Sequence, residues 1–526
     1  MSEQSNISQL SAQDAQFLYI QSATNLTHVM AVYIYDPSTA PGGKVRFKDI
    51  IEHMRKRMDI SPMFKRKLYR LPMDIDHPYW VKDEHFDLEA HISHGRLPEP
   101  GDWRQFCIHV ARHHSKPLDM TRPLWDMYVV EGLDNIPGYA KGSYAILTRI
   151  HHSTIDGVSG AHFFAAISDK DAKGTPAIPL PEGRPAAVDL PTVAEILSRA
   201  VNSTVSSPVK LAQALLKFTP ALISTAQQSL KGGEDQTASG VPQTRFNGPV
   251  TPNKVFDAVT FDLEELKKMR LKVSDATIND VVLAICSGAL RHYLTKHKEL
   301  PEESLVAVAP VNARSRSGDD ATPGNNISAM TIKIWSNIVD PVERLEAIKD
   351  TTRETKAAKS GLSARIMTDL TKHIPGVTMA SVARILTDER FAPKMSNLMI
   401  SNVPGPQIQL YMNGAKLTHQ YGLAPLAHGM GLFIATPSYN GTISFSIISD
   451  RKMMPDVEFF RECLQRAFDE LREAKPNAAA RRPKKAAVAP KKPQTPKDGS
   501  VMYRRVAKKP RTVAPKAIGG STPKVK

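Results

Sequence analysis

Residues 143–157 read Ser-Tyr-Ala-Ile-Leu-Thr-Arg-Ile-His-His-Ser-Thr-Ile-Asp-Gly. The first eight are rich in β-branched, aromatic and aliphatic side chains, the composition of a buried strand. His151-His152 stand at its end, and Asp156-Gly157 closes the turn that follows. Histidine titrates near neutral pH, so two imidazoles at a strand end suit proton transfer. Moving an acyl group onto an alcohol needs such a base, because a neutral hydroxyl is a poor nucleophile. The same base then returns the proton to a leaving thiolate. A thioester donor is already activated, so no covalent enzyme intermediate is required. Asp156 is placed to hold the turn through an ion pair with an arginine, and Gly157 lets backbones approach closely. The plainer reading is a satisfied pair of core histidines beside an Asp-Gly turn. The full seven-residue pattern directly after a strand favours chemistry. Adjacent residues on a strand point to opposite faces, and no HExxH follows, so a metal site is disfavoured. The absence of a GxSxG elbow argues against a serine hydrolase.

Working outward, strands are expected at His28–Tyr35, Trp125–Val130 and Ser143–Ile150, with helices at Phe47–Met63, Trp103–His114 and Gly160–Ile167. Further strands are expected at Val255–Phe261, Val306–Val311, Ala329–Trp335 and Leu398–Val403. Leu432–Ala435 and Thr442–Ile448 form a pair joined through Asn440-Gly441, a strong turn signal. Helices are expected at Thr277–Leu294 with Asp275 as N-cap, and at Asp340–Lys359, Ser363–Lys372 and Val457–Leu471. Between the two groups, 174–253 is rich in Pro, Gly and Ala around a partly helical stretch. The division is thus an N-terminal lobe over 1–173, a crossover over 174–253, a C-terminal lobe over 254–474 and a tail over 475–526. The fold class is α/β, with two lobes of mixed sheet and helices.

Charge is unevenly spread over the 526 residues. Of the 69 Lys and Arg, 16 fall in 475–526 against one acid, Asp498, leaving 53 basic and 52 acidic side chains in 1–474. The nearly neutral body argues against a broad nucleic-acid-binding face. The Lys/Ala/Pro-rich tail cannot build a core and is expected to be disordered. Cys107, Cys286 and Cys463 are far apart and form no disulfide framework, which points to a reducing cytoplasm. Residues 1–16 carry no apolar signal core, and no apolar run is long enough to span a membrane.

Other blocks join the histidine loop in a fixed order. They are Leu10-Ser11-Ala12-Gln13-Asp14-Ala15-Gln16-Phe17-Leu18-Tyr19, Pro117-Leu118-Asp119, Pro123-Leu124-Trp125, Asn279-Asp280-Val281-Val282-Leu283-Ala284, Pro310-Val311-Asn312 with Gly324-Asn325-Asn326, and Ser401-Asn402-Val403-Pro404-Gly405-Pro406. Together they resemble the bacterial wax ester synthase/acyl-CoA:diacylglycerol acyltransferases, over about 10–470. This family lies within the HHxxxDG superfamily that includes chloramphenicol acetyltransferase and peptide-synthetase condensation domains. The resemblance implies two chloramphenicol-acetyltransferase-like lobes with a tunnel at their interface. Acyl donor would enter from one side and alcohol from the other. It implies His152 as general base, His151 as its partner and Asp156 as a structural member of the loop. Asn279 and Asp280 would position or polarise the reacting groups, Pro123, Leu124 and Trp125 would shape the substrate channel, and Ser401 and Asn402 would lie near the lobe interface. Each has a structural alternative: helix-dipole placement for Asp280 and Asn279, core packing for Trp125, and a strand end before a Pro-Gly-Pro turn for Ser401-Asn402.

The activity so implied is O-acyl transfer from acyl-CoA to diacylglycerol, a fatty alcohol or both. It needs no metal or redox cofactor, since acyl-CoA is a substrate. The alternatives are a condensation-type enzyme acting on carrier-protein thioesters and a non-catalytic surface protein. Such substrates partition into membranes, so a peripheral place on the inner membrane or lipid droplets is expected, with no obligate protein partner. Leu197, Val201, Leu211, Leu215, Leu216, Phe218, Leu222 and Ile223 form either a membrane-docking element or a helix packed across both lobes. The tail has three readings: attachment to anionic lipid, non-specific nucleic-acid contact, or a solubilising extension.

Overall fold

Strand-forming runs in both halves of the chain assemble into two six-stranded sheets. The structure is a computed structural model that describes residues 8–70, 77–154, 164, 167–174, 241–312, 327–358 and 396–476. The first half supplies β1 (Ser8–Gln9), α1 (Ala12–Tyr19), β2 (His28–Asp36), α2 (Phe47–Arg55), β3 (Arg66–Tyr69), β4 (Tyr79–Lys82), β5 (Ile92–Arg96), α3 (Trp103–His114), β6 (Trp125–Glu131) and β7 (Tyr144–His151). The second supplies β8 (Lys254–Asp262), α4 (Leu263–Arg270), α5 (Ile278–Lys296), β9 (Val306–Asn312), β10 (Ile327–Lys333), α6 (Pro341–Ala358), β11 (Leu398–Pro404), β12 (Tyr411–Met412), β13 (Ala415–Leu423), β14 (Leu432–Tyr439), β15 (Thr442–Asp450) and α7 (Val457–Glu473).

One sheet runs β12-β13-β2-β7-β6-β5, the other β10-β9-β11-β14-β15-β8, and β1-β4-β3 form a small third sheet. β7 is buried at every position, as a central strand covered on both faces must be. It pairs antiparallel with β2, His28 opposite His151, and with β6, Trp125 opposite Ile150. β14 and β15 form a hairpin whose turn places Asn440 and Gly441 at φ 42° and 81°. Two successive positive φ values are why Asn-Gly stands there. On α7, Phe460, Leu464, Ala467, Phe468 and Leu471 are buried, and Phe468 stacks on Phe261 of β8 at 4.0 Å. Gly288 of α5 permits the helix crossing, because a Cβ there would lie 2.9 Å from that of Ala467.

The expected boundary between the lobes needs correction. β12 and β13 lie within the stretch expected to form the C-terminal lobe, yet β13 pairs antiparallel with β2 and completes the N-terminal sheet. Otherwise β2 would present an open edge of unpaired amides and carbonyls. At the other end, 241–253 is built into the C-terminal half rather than acting as linker. Phe246 is fully buried, Asn247 donates to the carbonyls of Ser396 and Gly429, and Thr251 donates to Asp450. The helix expected over Phe47–Met63 stops at Arg55 and gives way to two short 3-10 turns. The N-cap of α5 is Thr277, which shares a capping box with Asp280, whereas Asp275 is in the left-handed region at φ 64°. The helices expected at Ser363–Lys372 and, apart from Phe164 and Ile167, at Gly160–Ile167 lie outside the described residues. So do 175–240 and the tail from 477. Among the described residues no helix is long and apolar enough to cross a membrane.

Candidate active site

β7 ends at His151, which is 0% exposed. Its backbone N–H donates to the Leu124 carbonyl at 2.9 Å. Ring Nδ1 accepts from the Ser153 backbone amide at 3.2 Å and lies 2.7 Å from the Ser153 hydroxyl. An amide can only donate, so Nδ1 is the bare nitrogen and the proton sits on Nε2. Gln21 Oε1 accepts that proton at 2.8 Å, and Thr27 Oγ1 lies 2.8 Å from the same nitrogen. Burial first, then the neighbouring His28 and His152, push the pKa of His151 down to about 3. His151 is therefore a neutral imidazole in one tautomer, with both nitrogens engaged.

His152 is the first residue of the turn, and its ring is half-buried. Its backbone N–H donates to the Thr27 carbonyl at 3.0 Å. The Phe17 ring stacks over the imidazole with centroids 4.0 Å apart and planes 15° from parallel. Thr27 thus serves both histidines, one through its hydroxyl and one through its carbonyl. Its hydroxyl lies 2.8 Å from the Phe17 carbonyl and can donate to it. Phe17 rides on α1, which Ser11 caps by accepting the Asp14 amide at 3.0 Å. The helix buries Ala15, Leu18 and Tyr19 with Leu10 against Leu124.

The structure therefore brings the opening block, Leu124 and the two histidines together. Gln21, Thr27 and Ser153 were not singled out in the sequence. Gln21 and Thr27 reach His151 only through tertiary contact, whereas Ser153 meets it two residues along the same turn. Pro123, Leu124 and Trp125 are buried. The Pro123 carbonyl accepts the Trp125 amide at 2.8 Å. The Trp125 indole N–H donates to the Phe64 carbonyl at 3.1 Å, and its ring stacks on His91 at 4.7 Å. Trp125 is 2% exposed. Of the three, Leu124 reaches the histidine loop, through its carbonyl on the His151 amide.

Asp280 performs structural work at both oxygens. Oδ2 accepts from Thr277, amide and hydroxyl, and Oδ1 accepts from Thr352 of α6 at 2.8 Å. Asn279 stands beside it, half-buried, in the first turn of α5. Ser401 and Asn402 lie half-buried on β11, paired with Ala435 and Thr436, and the Thr436 hydroxyl donates to the Ser401 carbonyl at 3.3 Å. Asp156 and Gly157 lie outside the described residues. Arg149, the arginine nearest the loop in sequence, makes a bidentate pair with Asp126 on β6 and donates to the carbonyls of His113 and Lys116.

The second lobe reaches the same region. His428 Nδ1 accepts the Val250 amide at 3.0 Å, so the proton is on Nε2, 3.4 Å from Thr24 Oγ1. Lys254 Nζ donates to the carbonyls of Thr251 at 2.6 Å and Thr24 at 3.5 Å, and burial draws its pKa down to about 8. Residues 21–27 therefore lie between the histidine loop and the C-terminal half. A separate seam joins Trp103 Nε1–H to Asp257 at 2.8 Å and Arg461 to the same carboxylate at 3.1 Å. Around the site, burial lowers the pKa of His28 to about 4 and that of His113 to about 3, and holds that of His114 well below its ordinary value. Among the described residues no cluster of His, Cys, Asp and Glu could hold a metal ion.

Comparison with known proteins gives a consistent result. The model of the wax ester synthase/diacylglycerol acyltransferase catalytic domain matches residues 10–282, and that of the WS/DGAT C-terminal domain matches 323–472. A Mycobacterium tuberculosis protein named as a diacylglycerol O-acyltransferase is 31% identical over 470 residues, covering 88% of this chain and 90% of its own. The O-acyltransferase WSD of Acinetobacter baylyi is 28% identical, with 85% and 93% covered. The solved wax ester synthase/diacylglycerol acyltransferase of Marinobacter aquaeolei VT8 superposes with a TM-score of 0.62 at 26% identity, over 88% of this chain and 98% of that one. A trichothecene 15-O-acetyltransferase of Fusarium sporotrichioides shares the fold, with a TM-score of 0.57 at 11% identity over 88% and 95%.

Proposed function

This chain belongs to the wax ester synthase/diacylglycerol acyltransferase family and is an O-acyltransferase, and we propose that His152 is its general base. The acceptor is the hydroxyl of a diacylglycerol or an alcohol, and the donor is a long-chain acyl-CoA. His152 takes the hydroxyl proton as the oxygen attacks the thioester carbonyl carbon. The tetrahedral intermediate collapses with cleavage of the C–S bond. The thiolate leaves with the proton that His152 returns, giving free CoA and an ester. Every atom in this exchange comes from the two substrates and the imidazole, so the reaction calls for no metal or redox group.

The observation that carries the assignment is the state of His151. With both nitrogens engaged, no solvent exposure and a pKa near 3, it has no capacity to accept a proton. That leaves its neighbour as the imidazole of the loop that can work. The Nδ1 atom of His152 is inaccessible to solvent, which makes Nε2 the nitrogen that meets the acceptor. Asp156 holds the turn, Asn279 positions the reacting groups from the first turn of α5, and the two substrates meet at the seam between the lobes. Support for the last point is the segment 21–27, which touches both the histidine loop and the C-terminal half.

Lipid substrates place the enzyme at an inner membrane or lipid-droplet surface. The 16 Lys and Arg of 475–526 supply electrostatic attachment to anionic lipid. Retention on nucleic acid but not on anionic vesicles would reassign the tail. The test of the chemistry is release of CoA from palmitoyl-CoA, with hexadecanol and with dioleoylglycerol as separate acceptors, by wild type and His152→Ala. Acceptor-dependent release that the substitution abolishes supports the reading. Full release by a folded His152→Ala would overturn it.

A further inference from the structure

We propose that Phe17 is a positioning residue for the acyl transfer, fixing the imidazole of His152 by its face and stabilising the imidazolium that forms while the hydroxyl proton resides on it. This rests on His152 being the base.

Three contacts close a ring. The Phe17 phenyl lies 4.0 Å from the His152 imidazole at 15°. The Phe17 carbonyl is 2.8 Å from the Thr27 hydroxyl, and the Thr27 carbonyl accepts the His152 amide at 3.0 Å. Backbone bonds fix where His152 begins but do not act on its two side-chain torsions. The phenyl face restrains those torsions without occupying a nitrogen, because stacking covers a ring's face while proton transfer runs in its plane. Phe17 is itself anchored, since α1 packs on Leu124, whose carbonyl holds His151. The opening block therefore meets the base directly, while Leu124, packed on the same helix, holds its neighbour His151.

The second effect is electrostatic. A phenyl face is electron-rich and attracts a cation lying over it. Neutral imidazole gains little from this, whereas the imidazolium gains more. The stack thus favours the state that proton transfer creates. The charged and titratable groups on the surrounding described elements are these. His151 of β7 and His28 of β2 are held neutral by burial. α1 carries Asp14, bonded to Ser11 at the helix start, and Tyr19. From the other lobe Lys254 and His428 reach Thr24. The loop's own Asp156 lies outside the described residues.

The experiment measures CoA release by the full-length protein across pH for wild type, Phe17→Leu, Phe17→Met, Phe17→Tyr and His152→Ala, with thermal unfolding of each. In free enzyme the base must be neutral, so kcat/KM rises with pH through the pKa of His152. Removing the ring face destabilises the imidazolium and moves that acid limb to lower pH, by about half to one unit. The expected kcat falls by about tenfold while KM for each substrate changes by less than about twofold, since the lost contact acts on the transition state. Phe17→Tyr restores both limb and rate. Phe17→Met keeps bulk without a ring face and stands in if the leucine variant does not fold. The proposal is overturned if the limb stays in place and the rate falls only with the folded fraction, or if tyrosine rescues no better than leucine. Activity retained by His152→Ala would instead remove the base assignment, and this role with it. An inactive His152→Ala beside a wild-type-like Phe17→Leu would remove this role alone.

Discussion

Gln21 Oε1 accepts the Nε2 proton of His151 at 2.8 Å, and this bond fixes the tautomer of an imidazole with no access to water. Gln21→Ala leaves a buried N–H leaning on the Thr27 hydroxyl alone. The expected cost is about 1–3 kcal/mol of stability, read from urea unfolding. The accompanying loss of turnover should exceed what the unfolded fraction explains, because the ring that seats the next residue has come loose. A Gln21→Ala enzyme with wild-type kcat and stability would show the bond to be idle.

His152→Ala should separate chemistry from folding. The loss expected of a positioned base is about 10²–10⁴-fold in kcat. The thermal midpoint should stay near wild type, because the ring is half-buried and the backbone bond to Thr27 remains. His151→Ala should do the reverse in part, lowering the midpoint by removing a fully buried ring and its polar contacts. Circular dichroism melts beside initial rates distinguish the two.

Trp125 offers a sharper test of where substrate runs. Its indole bonds to Phe64 and stacks on His91 in the core of the N-terminal sheet. Trp125→Ala should cost about 3–5 kcal/mol, as large core truncations do. Trp125→Phe should fold and keep the wild-type order of preference among acyl-CoA chain lengths. A reordered preference would return Trp125 to the substrate wall.

Acid should weaken the fold through its histidines. His28, His113, His114 and His151 have pKa values below the ordinary 6.5, with burial the leading cause in each. The unfolded chain binds protons at these sites first, so stability is full above pH 6.5 and falls as pH drops toward about 4 and below. Both ring nitrogens of His114 are buried with no partner among the described residues, and the residue is 2% exposed. His114→Leu should therefore flatten the fall in urea midpoint between pH 6.5 and 4. An unchanged slope would show that His114 does not contribute to it.

How much of this could be read from the chain depends on how local each signal is. The strand into His151-His152, the helix at Trp103–His114, the Asn440-Gly441 hairpin and the apolar stripe of α7 are short-range patterns, and the structure carries each of them. β13 escaped although Ala415, Leu417, Tyr421 and Leu423 alternate along it, because its partner β2 lies at the other end of the chain and no local pattern marks that pairing. The bracing of the histidines escaped for a different reason. Gln21 and Thr27 are ordinary polar residues in a loop, and only the folded sheet reveals what they face. Trp125 and Asp280 were visible as residues in motifs, but the core contacts of the one and the capping and inter-helix bonds of the other could be seen only in the folded chain. A motif marks where a family is constrained, and constraint falls on scaffolding as readily as on chemistry.

The pairing of β13 with β2 also sets a timetable for synthesis. β2 leaves the ribosome early, but the strand that covers its edge is made only when residues 415–423 appear. At about 5–20 residues per second, the N-terminal sheet waits some tens of seconds with one side unsealed. A nascent chain in that state is a target for neighbouring strands on the same polysome, and a truncated message would leave it so permanently. Making this enzyme therefore calls for shelter during translation, and a fragment ending before residue 415 should be recovered as aggregate or degraded rather than as half an enzyme.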